Sequence, residues 1–155
     1  GMQASWRLPK SKRRRAPEGF DQVEPQLKEF DDRMREAVAA SDEGKRKNES
    51  TWDVTRIHWE RNRFVFELYY QKKAISRELY DYLVQCKLAD QNLIAKWRKQ
   101  GYEKLCSLQA IQTRDTNFGT VAACRVPLHK RDPHQWGPNV RTGCVSCALG
   151  DKGAP

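Results

Sequence analysis

Beyond Gly101 the sequence loses its helical rhythm, and this limits how the chain can fold more than any other feature. Turn residues dominate from there on, with prolines at 127, 133 and 138, and four of the five cysteines appear: Cys106, Cys124, Cys144 and Cys147. A stretch of this kind buries too little apolar surface to offset the entropy of ordering its own backbone, so it needs a staple. Five cysteines is an odd number, and no apolar export segment follows the basic N-terminal run, so a disulfide framework is disfavoured. Four thiolates around zinc close a loop-rich fold without redox chemistry. Cys144-Val145-Ser146-Cys147 has the two-residue gap that lets neighbouring sulfurs reach one metal, whereas Cys106 and Cys124 lie 18 positions apart. His129 and His134 fall in the same stretch as rival ligands, and spacing leaves open whether either replaces a cysteine. A redox role for Cys144 and Cys147 is disfavoured, because no strand–helix pattern precedes them. Cys86, late in a helical stretch, reads as a small core hydrophobe.

Ahead of Gly101 the pattern is helical throughout. Pro25 suits the first turn of a helix over 25–40, with Leu27, Phe30, Met34 and Val38 on one face. Ser50 is a candidate N-cap for a long helix over 51–73, whose apolar positions thicken between Phe64 and Tyr70 and mark the expected centre of the core. His58 on that helix reads as packing, not as a ligand. Ser76 caps a third helix carrying Leu79, Tyr80, Leu83 and Val84. Asp90 caps a fourth with Leu93, Ile94 and Trp97 inward and Gly101 as its stop. With 155 residues, 38% apolar and 32% charged, the chain suits one modest core with appended segments. No apolar run is long enough for a membrane span. The expected fold is mainly α: a basic extended arm over 1–24, a four-helix domain over 25–104, an irregular zinc-binding module over 105–150 and a disordered tail over 151–155.

The formal charge of +9 is unevenly spread. Residues 1–17 carry +6, residues 18–49 carry −4, residues 50–104 carry +4 and residues 105–155 carry +3. Lys10, Lys12, Arg13, Arg14 and Arg15 form a cluster bracketed by Pro9 and Pro17, a pattern that reads as a nuclear-import signal or a nucleic-acid arm. Arg114 and Arg125, flanking a polar turn-rich stretch, are further candidates to present guanidinium groups to phosphate. No Gly-rich phosphate loop, paired-carboxylate motif or nucleophile elbow appears, so an enzyme is not expected.

Several motifs resemble the G-ten, or bud-site-selection, family of pre-mRNA splicing factors. They are Lys73-Ala-Ile-Ser-Arg-Glu-Leu-Tyr80, Asn92-Leu-Ile-Ala-Lys-Trp97 with Gln100-Gly101-Tyr102-Glu103, Ile111-Gln-Thr-Arg-Asp-Thr-Asn-Phe-Gly-Thr120 and Cys124-Arg-Val-Pro127. Pro9-Lys-Ser-Lys-Arg13, Met34-Arg-Glu-Ala37, Gly44-Lys-Arg-Lys47 and Arg56-Ile-His58 fit as well. The resemblance implies a nuclear, non-catalytic component of the spliceosome that scaffolds protein partners and contacts small nuclear RNA near the catalytic core, as a monomer within a large complex. An alternative it also carries is a nuclear-receptor coregulator acting through protein contacts. The family's C-terminal region holds a cluster of zinc ions through shared thiolates. Cys106, Cys124, Cys144 and Cys147 match its cysteines, whereas Ser107, Ala110, Ala122, Asn139 and Thr142 stand where further cysteines would be. The expectation is therefore a single Cys₄ zinc in place of the cluster.

Overall fold

In the computed structural model, residues 15–40, 47–112, 121–131, 137–139 and 142–150 are described. Most of the expected arm, the cations Lys10, Lys12, Arg13 and Arg14, together with Arg114, His134 and the tail over 151–155, lie outside them. The described residues form four α-helices and no strand: α1 (Phe20–Ala40), α2 (Lys47–Phe66), α3 (Arg77–Gln85) and α4 (Gln91–Trp97). Short 3-10 turns at Leu108–Ala110, Ala123–Arg125, Leu128–Lys130 and Cys147–Gly150 carry the rest. The mainly helical fold is as expected, and none of these helices is long and apolar enough to cross a membrane.

α1 begins five residues ahead of the expected Pro25, so Phe20 to Glu24 belong to the helical body and not to the arm. Phe20, Val23, Leu27 and Phe30 recur at helical spacing and are buried. Pro25 is tolerated near the start of the helix, on its exposed side, at the cost of one backbone donor. Val38, expected on the same face, is 53% exposed. α1 and α2 are antiparallel neighbours: Phe30 meets Phe64 with ring centroids 5.9 Å apart, and Arg33 pairs with Glu60 at 2.7 Å.

α2 starts at Lys47, so Ser50 lies inside the helix and is not its cap. At its other end the helix widens into a π-turn (Glu67–Gln71), where the Lys72 N–H donates to the Glu67 carbonyl at 2.7 Å. One extra residue in the turn brings both Tyr69 and Tyr70 against Tyr80, the first stacked at 4.5 Å and the second edge-on at 5.9 Å. The N-caps of the two short helices are as expected. Ser76 Oγ accepts from the Leu79 N–H at 3.0 Å, and Asp90 Oδ1 accepts from the Asn92 and Leu93 N–H groups.

The core is broader than the expected Phe64–Tyr70 centre. Val65 and Phe66 are buried there, but Tyr82, Leu83, Leu88, Leu93, Ile94 and Leu105, outside that stretch, are fully enclosed as well. Three consecutive polar residues of α2, Arg61, Asn62 and Arg63, are also buried. Asn62 Nδ2 donates to the His58 carbonyl at 2.9 Å while its Oδ1 accepts from the Asp90 N–H, tying α2 to the start of α4. The Arg63 guanidinium lies over Trp59, Phe66 and Trp97, 4.7 to 5.7 Å from their ring centroids, and donates to the Glu103 carbonyl. Trp59 Nε1 and Trp97 Nε1 both donate to the Leu105 carbonyl, at 3.1 and 2.8 Å. The chain leaving α4 is thereby pinned to the helices immediately before Cys106.

Candidate metal centre

Cys106 is thus presented from the edge of the helical core. Cys124 comes from the 3-10 turn Ala123–Arg125, and Cys147 opens the turn Cys147–Gly150. Cys144 follows a tight loop in which the Gly143 N–H donates to the Asn139 carbonyl at 2.7 Å and the Asn139 N–H to the Cys144 carbonyl at 2.8 Å. Gly143 has φ +74°, and a Cβ there would lie 2.6 Å from the Trp52 ring, so both conformation and space require glycine. Arg131 fastens the loops together: its Nε donates to the Val126 carbonyl at 2.8 Å and its Nη2 to the Val145 carbonyl at 2.7 Å.

The four sulfurs lie within 4.8 Å of one another, and Cys106 and Cys124 are 3.8 Å apart. A tetrahedral site with metal–sulfur bonds of about 2.3 Å has sulfur–sulfur edges of about 3.8 Å, so the donor set fits a metal ion of that size. None of the cysteines is in a disulfide. Crowding of the thiols moves their acidities apart. Hydrogen bonds from Cys106, Cys124 and Cys144, aided by Arg125, hold Cys147 far below the usual thiol range. Cys106 is pushed far up by hydrogen bonding to Cys124, Cys144 and Cys147.

Polar groups approach three of the sulfurs. Asn139 Nδ2 donates to Cys124 Sγ at 3.6 Å, Thr142 Oγ1 lies 3.8 Å from Cys106 Sγ, and Arg125 Nη1 donates to Cys147 Sγ at 3.2 Å. Thr142 Oγ1 also accepts from the Cys144 N–H at 3.2 Å. The positions without a cysteine thus have other uses. Asn139 and Thr142 hydrogen-bond to the sulfurs, Ser107 caps the turn Leu108–Ala110, Ala110 is fully buried and Ala122 packs on the core.

The structure brings Cys106, Cys124, Cys144 and Cys147 together and leaves Cys86 apart, fully buried at the end of α3. His129 is exposed and not part of the group. Arg15 is exposed, whereas Arg125 points its guanidinium at Cys147 and the Gly101 carbonyl. Asn139, Thr142, Gly143 and Arg131 escape a reading by residue type. Asn139 and Thr142 are hinted at by standing where the family resemblance places cysteines, and Gly143 by its nearness to the Cys144–Cys147 pair.

Such a molecule falls in the class of small helical proteins whose irregular end is gathered around a four-cysteine centre able to hold a metal ion. The chain belongs to the pre-mRNA-splicing factor BUD31 family, whose sequence pattern matches residues 5–149. It is 51% identical over 143 residues to the protein BUD31 homolog of Branchiostoma belcheri, covering 91% of this chain and 99% of that one. It is 46% identical to the pre-mRNA-splicing factor cwf14 of Schizosaccharomyces pombe, covering 94% of this chain and 99% of that one. It is 40% identical to the pre-mRNA-splicing factor BUD31 of Saccharomyces cerevisiae, covering 93% of this chain and 100% of that one. The resemblance seen in the motifs is the family relationship, and it supports a role in splicing.

Proposed function

We propose that this protein is a nuclear, non-catalytic component of the spliceosome in which one zinc ion, held by Cys106, Cys124, Cys144 and Cys147, fixes an irregular module against a helical scaffold. The observation that carries this reading is the approach of the four sulfurs to within 4.8 Å in a chain of a splicing-factor family. A closed tetrathiolate site is structural: with no open position it organises chain and activates no water. Because Asn139 and Thr142 occupy space beside the sulfurs as hydrogen-bonding groups, the donor set suits a single ion without bridging thiolates.

The helical body offers protein partners a rigid surface, and the cations Lys10, Lys12, Arg13, Arg14 and Arg15, with Arg114, serve import or the phosphates of small nuclear RNA. Arg125, whose Nη1 donates to Cys147 Sγ, is a further candidate for phosphate contact beside the cysteine group. Two measurements test the reading. Elemental analysis of protein purified without chelator should return one zinc per chain, and three zinc ions or none would sink the single-ion site. The tagged protein should recover small nuclear RNAs from nuclear extract, and their absence would remove the splicing assignment for this chain.

A further inference from the structure

We infer that Arg125 is a positioning residue that couples occupancy of the metal site to the stability of the helical body, an inference resting on the single-zinc reading above. Its guanidinium reaches in two directions. Nη1 donates to Cys147 Sγ at 3.2 Å, and Nη2 donates to the Gly101 carbonyl, while the guanidinium carbon lies 5.6 Å from the Tyr102 ring centroid. Gly101, with φ +93°, is the residue at which the chain turns away from α4. One planar group therefore bridges a ligand sulfur to the end of the helical body.

The chemistry favours arginine here. A divalent ion with four thiolates carries a net charge of two minus, and enclosing that charge is costly unless donors or cations face it. Asn139 and Thr142 offer neutral donors to Cys124 and Cys106, and Arg125 brings a full positive charge to Cys147. A lysine ammonium is a compact point charge, whereas the rigid fork of arginine holds two acceptors at once in fixed geometry. When the metal fixes Cys147, the fork is held at its sulfur end and the Gly101 bond is reinforced. When the metal leaves, the sulfur end is released and the helical body loses that support.

The test uses the full chain carrying Arg125→Gln or Arg125→Lys. Zinc transfer to a chromogenic chelator and thermal unfolding of the helices, with and without chelator, are measured for each. R125Q should release zinc about ten-fold faster, the scale of losses when groups around metal ligands are removed. The rise in Tm that zinc confers should shrink in R125Q, while the metal-stripped variant unfolds close to the stripped parent. R125K should fall between the two in release rate, and it serves as the test variant should R125Q not fold. In cobalt-substituted protein, the thiolate-to-metal charge-transfer band should shift between parent and variant. An unchanged release rate, or an equal loss of Tm with and without metal, overturns the inference and leaves the zinc site intact. A parent chain that holds no zinc overturns the zinc reading itself, and the coupling with it.

Discussion

The indole N–H of Trp97 donates to the Leu105 carbonyl at 2.8 Å, one residue before the first cysteine of the centre. The bond lies inside the core, where Trp97 is 2% exposed and Leu105 fully enclosed, and Trp59 shares the same acceptor. Cys106 therefore inherits its position from two helices, α2 and α4. Trp97→Phe keeps most of the apolar volume and removes one donor. Destabilisation of about 1–3 kcal/mol is expected from the lost hydrogen bond and the trimmed ring. Urea unfolding of zinc-loaded protein checks it, and a change within error would mean that Trp59 alone suffices to hold the turn.

Removing a sulfur from the centre should have a different signature from removing the fifth cysteine. Alanine at Cys106, Cys124, Cys144 or Cys147 should abolish stoichiometric zinc, because a four-coordinate site has no spare ligand. Cys86→Ala should retain the zinc and lose about 1 kcal/mol of stability from a small core void. Elemental analysis paired with thermal unfolding distinguishes the two outcomes, and zinc lost from C86A would contradict the geometry.

Gly143 and Trp52 form a second dependence. A Cβ at Gly143 would meet the Trp52 ring at 2.6 Å, and φ +74° disfavours any side chain there. Gly143→Ala should cost about 1–3 kcal/mol. Trp52→Ala in the same chain removes the clash but not the backbone strain, so the double variant should be more stable than the two single losses add up to. Strict additivity would place the whole cost in the backbone.

His58 predicts a pH dependence. Its pKa is lowered, first by burial and then by the charge of Arg61, against a smaller raising effect of Asp90. Asn62 Nδ2 lies 3.2 Å from His58 Nε2, a contact that suits the neutral ring with its proton on Nδ1. A depressed value means that the unfolded chain takes up the proton first as pH falls. The stability due to neutral His58 is full above the ordinary value of 6.5 and is lost as pH drops through the lower folded value. His58→Gln should flatten this part of the profile. The difference in unfolding free energy between parent and H58Q, followed from pH 7.5 to 5, isolates it from acid release of the metal, and parallel profiles would refute it.

Much of this molecule was legible as local pattern. The helical face of Leu27 and Phe30 follows from 3.6-residue spacing, and the caps at Ser76 and Asp90 follow from short oxygen-bearing side chains ahead of an apolar run. Pro25 reads as a helix start, whereas burial of Phe20 and Val23 carries α1 five residues ahead of it. The π-turn was not legible, since nothing local separates it from a continuing α-helix. Packing of Tyr69 and Tyr70 on Tyr80 accompanies it.

By itself the sequence determined that the chain ahead of Gly101 is helical, that the segment after it needs a staple, and which four cysteines stand where one could form. Only the tertiary structure decided how those sulfurs meet and what surrounds them. Cys106 and Cys144 are 38 positions apart in sequence, so no spacing rule fixes their contact. Long-range bonds bring the loops around them into register: Trp59 and Trp97 on Leu105, Arg131 on Val126 and Val145, and Arg125 between Gly101 and Cys147. Arg125 shows the difference most plainly. As a residue type it suits phosphate, and the fold sets its guanidinium between Cys147 Sγ and the Gly101 carbonyl, a pairing that no local pattern shows.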